Sequence, residues 1–146
     1  MSTTHLVAYT SRWSPRDSGD DALLQRDLEA IGDVARARNP ATGVTGVLLC
    51  DRTVEGPRFV QVLEGPRERV HALLGRIRSD RRHTDLRMLL DVPAPRRAFP
   101  DWSMEVRTLP SSADTASLEA LRTAYVAAFE PDAEDFLAMV RALLEG

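Results

Sequence analysis

The chain is short of cysteine and of long apolar runs, and each shortage removes a class of protein. A single cysteine, Cys50, cannot form an internal disulfide, which suits a reducing compartment. No stretch approaches the roughly 20 apolar residues that a membrane-spanning helix needs. The opening MSTTHLVAYTS carries no charged segment followed by an apolar one. No signal peptide is therefore visible, and a soluble, cytoplasmic chain is expected. The net charge of -3 supplies no general attraction to nucleic acid or to an anionic membrane. His5, His71 and His83 are scattered, and none pairs with Cys50 at a metal-ligand spacing, so no zinc or iron site is expected. No G-x-G-x-x-G or Walker pattern follows a strand, and Gly43 and Gly46 fit a strand entrance better than a phosphate loop. Internal repeats and low-complexity tracts are absent.

What is present suffices for one ordinary domain: 146 residues, 43% hydrophobic and 28% charged, enough to bury a core without staples. Residues 5–11, HLVAYTS, alternate as a first strand with Val7, Tyr9 and Ser11 on one face. After the loop RWSPRDSGD, Leu24, Leu28, Ile31 and Ala35 predict a helix from Asp21 to Arg38, with Val34 widening the stripe. Pro40 disfavours a helical Asn39 and predicts the stop there. VTGVLLC (44–50) and RFVQVLEG (58–65) read as strands joined by the long hairpin loop DRTVEGP. Pro66 opens a second helix buried through Val70, Leu73, Leu74 and Ile77 and ending near Asp80. Further strands are expected over 87–92 and 102–107, and two amphipathic helices beyond Pro110. The order β-α-β-β-α-β-β predicts an α+β, ferredoxin-like fold with both helices on one face of a mostly antiparallel sheet. The basic run from Arg76 to Arg82 is broken by Asp80 and reads as a solvated helix end.

Gln61 poses the main question, because it sits mid-strand on the face shared by Phe59 and Leu63. An unpartnered amide in such a place costs about 1–3 kcal/mol. Tyr9 and Asn39 are polar residues that this architecture can bring to it. One phenol and two carboxamides offer donors and acceptors but no nucleophile, metal set or acid–base pair, a group suited to gripping a planar, neutral, hydrogen-bonding ring. Taken singly, each has a plainer reading: a satisfied Tyr–Gln core pair, or an Asn that stops a helix. Three classes remain open: a ring-binding domain, a ligand-free interaction module, and an acylphosphatase-type hydrolase using Arg38 and Asn39.

Four strings, in order, carry a resemblance: Tyr9-Thr10-Ser11, the run from Asn39 to Leu49 (NPATGVTGVLL), Phe59 to Gly65 (FVQVLEG), and Phe99 to Met104 (FPDWSM). Together they resemble the BLUF domains, blue-light sensors using FAD, across residues 5–107. The resemblance implies a flavin ring between the two helices, with Tyr9 as electron and proton donor. Gln61 would bridge Tyr9 to the ring, reorganise on illumination by rotation or tautomerisation, and yield a red-shifted state. Asn39 would bond the ring's carbonyl edge, Ile31 and Ile77 would wall it, and the Arg82-His83 pair would help to hold it. Trp102 and Met104, on one face of the last strand, would pass the change onward. Arg38 stands at the flavin's pyrimidine edge or turns out to solvent. The loop RWSPRDSGDD and the hairpin DRTVEGP are longer than in typical relatives, and Cys50 replaces a common aromatic. The expected organisation is a flavin-binding unit over 1–109 and a helical extension over 110–146, lying on the sheet or at a subunit interface. The implied protein is a non-enzymatic sensor and a homo-oligomer that signals to an unidentified downstream protein.

Overall fold

A computed structural model describes residues 4–14, 21–53 and 56–108. Seven elements follow one another: β1 (Thr4–Trp13), α1 (Asp21–Thr42), β2 (Thr45–Thr53), β3 (Gly56–Gly65), α2 (Arg67–Arg78), β4 (His83–Ala94) and β5 (Glu105–Thr108). The two helices expected beyond Pro110 lie outside the described residues.

The strands form one mixed sheet in the order β4-β1-β3-β2-β5. β1 runs antiparallel to both β3 and β4, β2 antiparallel to β3, and β5 parallel to β2. Two crossovers are therefore interleaved: β1 reaches β2 through α1, and β3 reaches β4 through α2. They start from oppositely directed strands and travel in opposite directions across the sheet. Right-handed connections thus put both helices on the same face.

Strand alternation sorts the core into two layers. Val7, Tyr9, Leu48, Cys50, Phe59 and Leu63 meet Leu24 and Leu28 of α1 and Val70 and Leu74 of α2. Each fully buried aliphatic side chain there contributes about 1.5–3 kcal/mol of apolar transfer. Leu6, Ala8, Val47, Leu49, Val60, Val62 and Leu90 form the second layer on the opposite face, joined by Phe99.

Several boundaries differ from the sequence reading. Helix α1 does not stop at Asn39 but carries Pro40 inside its last turn. The missing N–H removes only one near-terminal hydrogen bond, and the real terminator is Gly43. That residue sits at φ +73° and donates its N–H to the Asn39 carbonyl at 2.8 Å, the left-handed cap that glycine adopts without strain. The expected long hairpin loop is largely strand, since β2 and β3 extend to Thr53 and back from Gly56. β4 starts at His83 rather than Arg87, through an irregular stretch with Asp85 at φ 53°. The last strand covers only Glu105–Thr108, and Trp102 precedes it in irregular chain that bends at Ser103. Gly46 permits a close approach: a Cβ there would lie 2.0 Å from the Val62 carbonyl oxygen of the neighbouring strand.

Candidate functional site

A cavity opens between the two helices and the sheet, with Tyr9, Gln61, Phe59, Leu48 and Met104 lining its sheet side. Ile31, Val34, Ala35 and Arg38 line it from α1, and Leu73, Arg76 and Ile77 from α2. Asp80, Arg82 and His83 complete the lining. A smaller cavity lined by Asn39, Thr42, Arg69 and Ala72 shares Arg38, Leu73 and Arg76 with it.

Tyr9 and Gln61 are directly opposed across the β1–β3 ladder, so the register alone sets their side chains against one another. The Tyr9 hydroxyl donates to Gln61 Oε1, and both residues are buried. The other end of the amide has a poorer partner: Nε2 donates to Met104 Sδ at 3.4 Å, and a thioether is a weak acceptor. Burial, with the Asp80 carboxylate adding to it, pushes the Tyr9 hydroxyl far above the usual phenol range.

Asn39 follows Leu24, Leu28, Ile31 and Ala35 along the inward stripe of α1, one turn after Ala35. It is only 1% exposed. Its Nδ2 donates to the Ser103 carbonyl, whereas its buried Oδ1 has no hydrogen-bond partner among the described residues. Arg36 makes a second tie to the same segment, donating to the Met104 carbonyl at 3.2 Å.

At the far side Arg82 is engaged by Asp80. Its Nε lies 3.0 Å from both carboxylate oxygens and its Nη2 2.5 Å from one of them. Hydrogen bonding from Arg82 is the main reason that the Asp80 carboxyl is held below the usual range. His83 Nε2 faces the Ile77 carbonyl, which can only accept, so that nitrogen carries the proton. In the neutral ring Nδ1 then accepts from the Ser11 hydroxyl at 3.0 Å. The histidine thus ties the end of α2 to β1, its ring 6.2 Å from that of Tyr9.

The structure brings Tyr9, Gln61, Met104, Ile31, Ile77, Arg38, Arg82 and His83 to the larger cavity, and Asn39 to its smaller extension. Trp102 stands apart. It stacks on Phe99 at 5.2 Å and packs with the layer on the opposite sheet face. The expectation that Trp102 and Met104 share one face therefore fails, because residues 102–104 precede β5 and strand parity does not apply to them. Sequence reasoning also missed Val34 as a rim residue. At 50% exposure it is an exposed large hydrophobic side chain among the described residues. Glu64 was missed as well. It is fully buried, accepts the N–H groups of Ala98 at 2.6 Å and Phe99 at 2.7 Å, and is pushed above the usual carboxylate range by that burial.

The residues fit a flavin-like ring by their own chemistry. A buried acceptor without a donor (Asn39 Oδ1), an amide N–H with only a thioether, aliphatic side chains from both helices and an exposed valine at the rim are what a planar polar-edged ring would satisfy. The hydrolase alternative finds no support. Arg38 and Asn39 lie in the last turns of α1 rather than in a loop after β1, and the Asn39 amide is committed to Ser103.

Sequence and fold both have known relatives. The family model described as "Sensors of blue-light using FAD" (BLUF) matches residues 5–105. The photoactivated adenylate cyclase subunit beta of Euglena gracilis is 42% identical over 87 residues, 59% of this chain and 10% of that protein. The blue light- and temperature-regulated antirepressor BluF of Escherichia coli (strain K12) is 37% identical over 87 residues, 60% of this chain and 20% of that protein. The match thus spans between a tenth and a fifth of these two relatives. Among solved structures, the dark state of the BLUF protein BlrB superposes with a TM-score of 0.68 at 27% identity, covering 97% of this chain and 95% of that one. The photo-activated state of BlsA gives 0.73 at 25% identity, covering 98% and 96%. No helix among the described residues is long and apolar enough to cross a membrane. The chain belongs to the BLUF family of blue-light sensors.

Proposed function

We propose that this chain is a blue-light photoreceptor that holds FAD between α1 and α2 and signals by protein–protein contact rather than by catalysis. The observation that carries the reading is the buried Tyr9–Gln61 hydrogen bond at the sheet side of the cavity, with the other end of the amide held, among the described residues, by a thioether alone. Asn39 and Gln61 would hold the ring's polar edge, Ile31 and Ile77 its faces, and Arg38, Arg82 and His83 its surroundings. When bound, the flavin supplies a blue-absorbing ring that becomes a strong electron acceptor on excitation.

Burial disfavours the Tyr9 phenolate, and a phenol that had given an electron to the flavin would be a strong acid. An electron leaving the phenol therefore has to take its proton with it, and Gln61 Oε1 is the acceptor already in contact. Gln61 can then reorganise at small cost, because one end of its amide is held only by sulfur. Rotation exchanges donor for acceptor at nearly constant shape. Met104 is the first residue to feel the exchange, and Trp102, two residues earlier on the other sheet face, is carried on the same segment. The flavin-binding unit would comprise residues 1–109, and residues 110–146 would form the extension that meets a second copy or an unidentified downstream protein. The cyclase activity named for the Euglena relative belongs to that protein.

The test is an absorption spectrum of purified chain before and after blue light. A yellow protein with a reversible red shift is expected, and Gln61→Leu should keep the flavin but lose the shift. A chain that stays colourless after reconstitution with FAD, or a Gln61→Leu variant that photocycles normally, would overturn the proposal.

A further inference from the structure

We infer that His5, His71 and Asp91 form a binding site for a divalent transition-metal ion of the Zn2+ class, pinning α2 to the sheet. His5 lies on β1, Asp91 on the adjoining β4, and His71 on the helix above them. Both imidazoles aim the same nitrogen at the same oxygen: His5 Nε2 is 2.5 Å and His71 Nε2 2.9 Å from Asp91 Oδ1. The rings meet edge to face, with centroids 5.1 Å apart and planes at 85°, so the two nitrogens converge from different directions. All three ligand atoms lie within 4.8 Å of one another.

Nitrogen and oxygen ligands about 2.0–2.1 Å from a tetrahedral Zn2+ stand about 3.4 Å apart. The trio reaches that spacing by side-chain movements of less than about an ångström per atom. Two imidazoles and a carboxylate are a ligand set that suits zinc and its neighbours, and it leaves a position for water. Solvent reaches that position, since the Asp91 side chain is 45% exposed and that of His71 35%. The sequence offered no sign of the site, because its ligands are 66 and 20 residues apart along the chain (5 to 71, 71 to 91) and only the fold gathers them. His71 lies on the same helix as Leu73 and Ile77 of the ring cavity, so a bound ion would stiffen one wall of it.

Untagged, metal-free chain, with FAD present at fixed excess, is titrated with Co2+ as a spectroscopic probe and with Zn2+ in thermal melts. One Co2+ per chain with tetrahedral-type visible bands is expected, together with a Zn2+-dependent rise in Tm of about 5–10 °C at saturation. His71→Ala and Asp91→Asn, both at partly exposed positions, should keep the flavin spectrum and lose both responses. His5 is left intact because its burial would confuse loss of metal with loss of fold. If one variant fails to fold, the other decides. No Co2+ binding by the wild-type chain, or metal responses that survive in a folded variant, would overturn the inference.

Discussion

A thermodynamic cycle on Tyr9 and Gln61 tests the site without relying on light. Tyr9→Phe removes one oxygen and leaves Gln61 Oε1 without its donor, between side chains of Leu48, Phe59 and Leu63 that offer no replacement. A buried acceptor stripped of its partner costs about 1–3 kcal/mol. Water from the adjoining cavity can reach this one, which favours the lower part, about 1–2 kcal/mol. Gln61→Leu strands the Tyr9 hydroxyl in the same way, at a similar cost less the gain from burying a leucine. The double variant places Phe opposite Leu in the same register and strands nothing. Its loss should therefore fall short of the sum of the single losses by about 1–2 kcal/mol. Urea unfolding in darkness, repeated at several FAD concentrations so that each variant's own flavin affinity is subtracted, measures all four corners. In melts each kcal/mol corresponds to about 2–4 °C for a chain of this size. Losses that add within about 0.5 kcal/mol would refute the claim that these two groups depend on each other.

Two further outcomes follow from the buried acids. The Tyr9 phenol is raised in the folded state, so its contribution to stability is complete below the ordinary phenol value near about pH 10 and declines as the pH rises above it. Urea midpoints across the alkaline range should fall less steeply in Tyr9→Phe than in the wild-type chain. Glu64→Ala would remove the carboxylate that accepts the Ala98 and Phe99 N–H groups. A loss of about 2–4 kcal/mol in urea unfolding is expected, together with faster amide exchange over residues 97–102.

Periodicity revealed the parts of the site that obey it. Gln61 was picked out by alternation with Phe59 and Leu63, whereas Asn39, read as the helix stop, is shown only by the structure to extend the stripe that begins at Leu24. The stop assigned to Asn39–Pro40 was wrong because a proline in a last turn forfeits one hydrogen bond, which the cap at Gly43 makes tolerable. The first residues of β4 were missed because their pairing with β1 is irregular, with register shifts near Thr10–Arg12 and a left-handed Asp85. Trp102 was misplaced for a related reason, since the bend before β5 breaks the period-two rule. Asp80 looked like an interruption in a basic run, yet its side chain holds Arg82 and its charge reaches Tyr9. Such roles depend on folding the chain back over long distances, which no local window reports.

The interleaved crossovers also bear on how the protein is made. The pocket draws Tyr9 from the first strand, Gln61 from the third and Met104 from the segment before the last. Neither half of the chain holds every wall of the pocket, and the Tyr9–Gln61 contact alone closes a loop of 52 residues. A ribosome must therefore release residues through Met104 before the chamber has all its walls. Capture of a cofactor in a finished pocket is thus a late event of biosynthesis, and a chain clipped before Met104 would meet the flavin with a wall missing.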